Sequence, residues 1–407
     1  MLPTFLLQVA TITGAIVLME VSSPGFLPTL CKSPESVAEC ASSPFALVLV
    51  LLCGLFLLLQ HFRRELMIAR ARAQREAQRK SEIAWDLMST RNKFMHTAES
   101  VRIGRTFKPQ PSDVFVVTYP KCGTTWMTQI LHALRTGSSM NFGEITEVIP
   151  WDILAHDCGQ DLDAPQVASP RVFKSHEMVS SVAAGARYIY VARNPLDAFL
   201  SFHKFLPAYT GLQAGDITYE SFADAIFAGA SHSGQIWEHM LGWWRRREDP
   251  NVLWVFFEDL VDDLPGSVAR ISAWLGLPRT DAQLARVCEV SSFAFMSADE
   301  NKHHFDDHFV RGCIGPKMGL PPGEPVRVSK VRAGGGKTGS RSALPPAITK
   351  LLNDKWRTQF APATGCADYE ELRAAMAALP LFPAGVAAAV GPTRRAARSP
   401  ARAVCSQ

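Results

Sequence analysis

The chain has 407 residues, 47% of them hydrophobic, and a formal net charge of +4, enough for one core of about 250 to 300 residues plus appendages. So small a charge at this length gives no global field toward nucleic acid, and no nucleic-acid partner is expected. The nine cysteines fall without C-x-x-C pairs or regular spacing, which argues against a zinc framework or a disulfide-built fold and for a reduced, cytosol-facing main domain.

Two apolar stretches come first in the chain. Residues 45 to 59, FALVLVLLCGLFLLL, carry no charge and, with Pro44 and Gln60 at their edges, approach the length of a bilayer-spanning helix. A buried core helix is the plainer alternative, and the lack of a polar face counts against it. Residues 2 to 19 are also apolar but include Gln8, Thr11 and Thr13, so a first span and a signal-like segment both fit. Residues 61 to 80 hold seven Lys/Arg and two Glu, whereas Lys32 is the only basic residue between the two apolar runs. Positive flanks stay in the cytosol, which places everything after residue 60 there and Cys31 and Cys40 in a short external loop. Residues 1–60 thus read as a membrane anchor. Residues 61–100 read as a basic juxtamembrane helix with Ile68, Ile83, Trp85 and Leu87 as its apolar anchors.

From Asp113 onward, strands alternate with helices. Strands are expected at 113–118, 171–174, 187–192 and 251–257, and helices at 124–136, 196–206, 219–229 and 234–247, followed by amphipathic helices to about 299. Apolar β-branched runs between helices predict a parallel sheet covered on both faces, a three-layer α/β domain over residues 101–378. Residues 300–344 read as a long loop rich in Gly, Pro and basic residues. Within them NKHHFDDHF (301–309) matches no closed zinc template and reads as a solvated loop, so no metal is expected. Residues 379–407 form an Ala/Arg-rich tail that reads as disordered.

The stretch TYPKCGTTW (118–126) sits between the strand DVFVV and the helix-like MTQILHAL. Such a turn aims backbone N–H groups and the positive end of a helix at one point, a natural seat for an anion, and Lys121 adds a mobile charge. The pattern G-x-x-x-x-G-K-[ST] is absent, because the lysine precedes the glycine, so a Mg-bound triphosphate is not the expected occupant. Cys122 lies where a helix N-terminus and Lys121 would lower a thiol pKa, which predicts a reactive thiolate shielded by bound ligand. The alternative is a small residue whose backbone N–H does the work.

Four stretches occur together: TYPKCGTTW at 118, RVFKSH at 171, YIYVARNPLDAFLSF at 188 and VRAGGGKTG at 331. In order and spacing they resemble the PAPS-dependent sulfotransferases of the cytosolic type, over about residues 95–375. The resemblance implies the three-layer, P-loop-like sulfotransferase fold and transfer of a sulfuryl group from 3'-phosphoadenylyl sulfate (PAPS) to an acceptor hydroxyl or amine, leaving PAP. It implies that Lys121, Cys122, Gly123, Thr124, Thr125 and Trp126 hold the 5'-phosphosulfate, with Lys121 on the bridging oxygen. His176 would be the general base, Lys174 would steady the sulfuryl oxygens, and Arg193 and Ser201 would hold the 3'-phosphate.

The match departs from the family in two places. Arg332, Ala333 and Gly334 stand where an Arg-Lys-Gly is usual, which leaves the register of that loop open. Phe257 replaces a common tyrosine and loses its hydroxyl, while Ser291 takes an adenine-side position. A small-molecule acceptor is implied, a homodimer is compatible, and a lumenal carbohydrate sulfotransferase or a catalytically silent PAP-binding scaffold are the rival readings.

Overall fold

The computed structural model describes residues 44–227, 229, 233–321, 329–331 and 339–379. The tail from 380 on, the apolar stretch 2–19 and the Cys31–Cys40 loop lie outside these residues, as do Arg332, Ala333 and Gly334. The chain divides into two units, residues 1–77 and 78–407.

The first unit is described from residue 44, where helix α1 (Pro44–Lys93) begins. Its side chains Leu51, Leu52, Leu55, Phe56, Leu58, Leu59 and Phe62 are exposed. Among the described residues no helix is long and apolar enough to cross a membrane, and the expected span at 45–60 finds no support. The uncharged run ends at Gln60, His61, Arg63 and Arg64. About 15 helical residues reach only about 22 Å, short of a hydrocarbon core of roughly 30 Å.

The second unit begins within α1. Ser81, Ala84 and Met88 are buried there, one helical face; of the expected anchors Trp85 packs against the core, whereas Ile83 and Leu87 are exposed. Two polar contacts fasten this face: the Thr218 N–H donates to Ser81 Oγ at 3.0 Å, and Arg91 donates to the Thr210 carbonyl at 2.6 Å. Helix α2 (Ala98–Thr106), capped by Thr97, follows.

The sheet comprises β1 (Val114–Thr118), β2 (Val172–Ser175), β3 (Arg187–Ala192) and β4 (Val252–Phe256). All neighbours are parallel, in the order β2-β1-β3-β4. Side chains alternate between its faces. Phe115, Val117, Phe173, Tyr188, Tyr190 and Trp254 enter one core, and Val114, Val116, Val172, Ile189, Val191 and Leu253 enter the other. Both faces are apolar, so both must be covered, and the result is three layers.

Helices α3 (Thr124–Thr136), α4 (Pro195–Tyr209), α5 (Tyr219–Phe227) and α6 (Ile236–Trp244) match the expected segments within a few residues. After β4 come α7 (Phe257–Asp262), α8 (Leu264–Leu275) and α9 (Asp281–Val290). The chain leaves β1 to one side for β2 and crosses back for β3. The ends of β1 and β3 therefore flank a switch point, where open α/β sheets hold ligands.

The stretch 301–309, expected as a solvated loop, is partly interior. Phe305 and Asp307 are buried, and α10 (His308–Ile314) begins immediately afterwards. The physical reason is the alternation of its charged residues with Phe305 and Val310, which enter separate cores.

Candidate active site

The turn after β1 is built by two left-handed residues. Lys121 has φ 70° and Gly123 φ 102°, a conformation that costs an L-residue about 1 kcal/mol or more and persists where surroundings enforce it. Glycine at 123 is required twice, since a Cβ there would also meet the Phe257 ring at 2.8 Å. Alternating backbone handedness turns successive N–H groups toward one side, and the first amides of α3 have no intrahelical acceptor. The Cys122 N–H is already given to the Tyr119 carbonyl at 3.2 Å, so it serves the turn itself.

Its thiol does not fit the reactive-thiolate expectation. Cys122 is 1% exposed, and burial pushes its pKa up to about 12, outweighing the opposing influence of Arg193 and Lys121. The helix end and the lysine act through a dielectric that penalises the anion more than they favour it.

Arg193 follows β3 and reaches back across the turn. It donates to the Lys121 carbonyl at 2.9 Å, its guanidinium lies 4.2 Å over the Phe257 ring, and its Nε is buried without a partner. Phe257 meets the Trp126 ring edge-on at 5.4 Å, and the Trp126 indole donates to the Ser291 carbonyl at 2.7 Å. The Ser291 hydroxyl is likewise buried without a partner. The strand-to-helix corner carrying Arg193 is fixed by Glu258, which accepts from the Asn194 N–H at 3.0 Å and from the Tyr369 hydroxyl at 2.7 Å. Ser201 stands on α4, facing the same cavity.

His176 lies one residue beyond β2. Its Nδ1 is 2.8 Å from the Thr118 carbonyl oxygen, which can only accept, so Nδ1 carries the proton and Nε2 keeps its lone pair. Burial, then the charge of Lys174, holds the imidazole well below its ordinary pKa of 6.5, against the pull of the Thr118 bond. The ring is wedged edge-on against Trp151 at 5.0 Å.

Lys174 shares the strand face of His176, and its ammonium sits 3.6 Å over the Trp151 ring. Burial, with Lys330 adding repulsion, lowers its pKa to about 7, although Asp307 and Glu144 oppose this. Lys330 pairs with Asp307. Burial alone would raise the Asp307 carboxyl, but Lys330 and Lys174 bring it down to about 2. Trp151 is set beside Lys174 by a short parallel bridge, with the Lys174 N–H donating to the Pro150 carbonyl at 2.8 Å.

These groups meet in one cavity of about 350 Å³. It brings together Lys121, Gly123, Thr124, Thr125, Trp126, Lys174, His176, Arg193, Ser201 and Phe257. Cys122 lies beneath the turn, and Ser291 lies behind Trp126. Asn92, Met95, His96, Asp307 and Lys330 also line the cavity, and none was singled out from sequence. Only Asp307, in its HHFDDH cluster, carried a local signal. Among the described residues no group of His, Cys, Asp and Glu is arranged to hold a metal.

The charge and shape of the cavity fit a nucleotide with two anionic ends. The amide-lined turn with Lys121 offers one seat, and Arg193 with its orphaned Nε offers a second that adjoins it through the Lys121 carbonyl. The Trp126–Phe257 wall and the orphaned Ser291 hydroxyl lie beside them.

The family model described as "Sulfotransferase domain" matches residues 111–316. Mouse sulfotransferase 2B1 is 33% identical over 214 residues, 50% of this chain and 62% of that protein, and the rat protein is 32% identical with 63% covered. The chain thus spans under two thirds of the length of these two relatives. Rabbit amine sulfotransferase is 31% identical, with 51% of this chain and 75% of that protein covered. The fold is similar to that of mouse sulfotransferase SULT7A1 complexed with PAP, with a TM-score of 0.50 and 20% identity over 67% of this chain and 94% of that one.

Proposed function

The chain belongs to the sulfotransferase domain family, and from that premise we propose that it moves a sulfuryl group from PAPS to a hydroxyl or amine of a small acceptor. The observation that carries this reading is the convergence, at one switch point, of an anion-cradling turn, a second phosphate-type guanidinium and a neutral histidine. Bound PAPS would supply a sulfuryl group already activated on a phosphate oxygen.

The residues of the chain divide the remaining work. Lys121 and the amides of Gly123, Thr124 and Thr125 face the phosphosulfate and stabilise negative charge developing on the leaving oxygen. Arg193 and Ser201 hold the 3'-phosphate, the group that separates this nucleotide from ATP products. Trp126 and Phe257 flank the adenine, with Ser291 at its edge. Arg332, Ala333 and Gly334 belong to this proposal on resemblance alone. His176 presents Nε2 to the acceptor and takes its proton, and burial keeps the ring in the neutral form this requires. Lys174 faces the sulfuryl oxygens.

The acceptor side mixes Trp151, Phe205, Leu206, Tyr209 and Met296 with Asn92 and the Asp307–Lys330 pair, which suits an acceptor with an apolar body and a reactive hydroxyl or amine. Radiolabelled PAPS offered with phenols, apolar alcohols and arylamines tests this. Transfer to at least one class is expected, and no labelled product from any, with PAP bound normally, would favour a silent PAP-binding protein.

Residues 1–60 are proposed to hold the enzyme at a membrane with the catalytic domain on the cytosolic side. The exposed Leu51, Leu55, Phe56 and Phe62, apolar without a polar face and followed by Arg63 and Arg64, support an apolar anchor with a basic cytosolic flank. Co-flotation of the full chain with anionic vesicles is expected, and loss of flotation in Leu55→Glu/Phe56→Glu; a chain that stays at the bottom of the gradient would refute it.

A further inference from the structure

The base and the phosphate-cradling turn are joined by a single side chain, Thr118, the last residue of β1. Its carbonyl accepts from His176 Nδ1–H at 2.8 Å, and its hydroxyl lies 3.2 Å from the same nitrogen. That hydroxyl shares a hydrogen bond of 2.6 Å with the Thr124 hydroxyl. Thr118 is wholly buried, and Thr124 is the first residue of α3 and lines the cavity. Direction in this chain is fixed from one end. Because the carbonyl can only accept, Nδ1 bears the hydrogen, so the Thr118 oxygen accepts a share of it. The Thr118 O–H is then left to donate to Thr124, whose own O–H is free to point into the cavity.

We propose that Thr118 is a positioning residue that couples the general base to the anion cradle, so that protonation of His176 strengthens the Thr124 hydroxyl as a donor toward the leaving phosphate. No proton travels along the chain. When Nε2 takes the acceptor proton, the ring becomes an imidazolium and Nδ1–H a stronger donor. Each hydroxyl it polarises becomes a stronger donor in turn, an effect that low surrounding dielectric enlarges. Negative charge on the leaving oxygen and positive charge on the base then arise together, with stabilisation shared between them. The Thr118 carbonyl fixes the imidazole tautomer that exposes Nε2, and the hydroxyl adds a second contact to the same nitrogen. The inference rests on the sulfuryl-transfer reading for its catalytic meaning, but the hydrogen-bond chain can be tested without any nucleotide.

The test uses Thr118→Val, which keeps the shape and removes the hydroxyl, and Thr118→Ser, which restores it. In ligand-free protein with nitrogen-labelled histidine at neutral pH, the Nδ1–H proton resonance of His176 should move upfield in Thr118→Val and stay in place in Thr118→Ser. Thr124→Ala, which does not touch the ring, should move it in the same direction. In turnover, Thr118→Val should lose roughly tenfold in kcat with PAP affinity changed by less than about threefold, and Thr118→Ser should stay within about twofold of wild type. Wild-type kcat in Thr118→Val, or equal losses in the Val and Ser variants, would overturn the proposal. Should Thr118→Val fail to fold, Thr124→Ala decides, because an unmoved His176 resonance there breaks the chain. If His176→Ala kept turnover, the base assignment would fail while the resonance shifts still stood, so the two failures are distinguishable.

Discussion

The donor side and the acceptor side of the cavity are built in opposite ways. On the donor side, Lys121 to Trp126 are consecutive residues and Arg193 follows β3, the strand beside β1, so short segments create the geometry through backbone handedness. On the acceptor side, Asn92, Trp151, Phe205, Tyr209, Asp307 and Lys330 come from segments scattered over more than two hundred residues and meet only through tertiary packing. The difference teaches where specificity can vary. A contiguous turn is constrained by the anion it must wrap, whereas a wall assembled from separate loops can change residue by residue without disturbing the donor.

Variants should respect this division. The largest effect is expected for the group serving both sides. His176→Ala should lower kcat by about a thousandfold while PAP binds within about twofold of wild type, measured by initial rates and calorimetry. Comparable loss of PAP binding would mean that the ring shapes the donor site instead. Arg193→Ala should raise the KM for PAPS by about fiftyfold with a smaller change in kcat, since the guanidinium also holds the Lys121 carbonyl. Asp307→Asn acts mainly on the acceptor side. It frees Lys330 and weakens the charged form of Lys174, and should raise the acceptor KM about tenfold with a much smaller change in the KM for PAPS. If both constants rise together, the two sides are not separable.

The pH dependence sharpens the same comparison. Lys174 is charged below its lowered pKa of about 7 and neutral above it, so kcat/KM should fall as pH rises through that value. His176, held well below 6.5, remains an unprotonated base throughout and adds no acid limb near neutrality. Lys174→Arg should move the descending limb to higher pH. An unchanged limb would assign it to another group. The smallest effect is expected at Cys122. Because its thiol is buried with a raised pKa, wild type should resist iodoacetamide, and Cys122→Ser should keep activity within about twofold. Rapid inactivation prevented by PAP would restore the reactive-thiolate reading.

What the sequence disclosed follows from the same contrast. The four strands and the helices after them were legible because each buried strand is a continuous apolar run, and the turn at 121–126 because its chemistry needs adjacent residues. The inward face of α1 was legible only at Trp85, which packs against the core, since Ser81, Ala84 and Met88 are buried there while Ile83 and Leu87 face outward. Hydrophobicity ranks residues, but this face is set by tertiary partners, Met88 and Trp85 against the core and the Thr218 N–H and Thr210 carbonyl on Ser81 and Arg91. Asp307 was hidden for a related reason. In sequence it is one charge in a polar run, and only packing shows it buried against a lysine from 23 residues away. Cys122 shows a local rule overridden, because the turn that should ionise the thiol also buries it.

The central claim is that the strand ends form one nucleotide site whose second anion seat is Arg193. Calorimetric titration of the wild-type chain with PAP and, separately, with adenosine 5'-monophosphate tests it most directly. The account predicts one PAP site per chain, bound at least about fiftyfold more tightly than the nucleotide lacking the 3'-phosphate, as charge-assisted bonds to that group require. Equal affinity for the two nucleotides, or no binding of PAP, would contradict it.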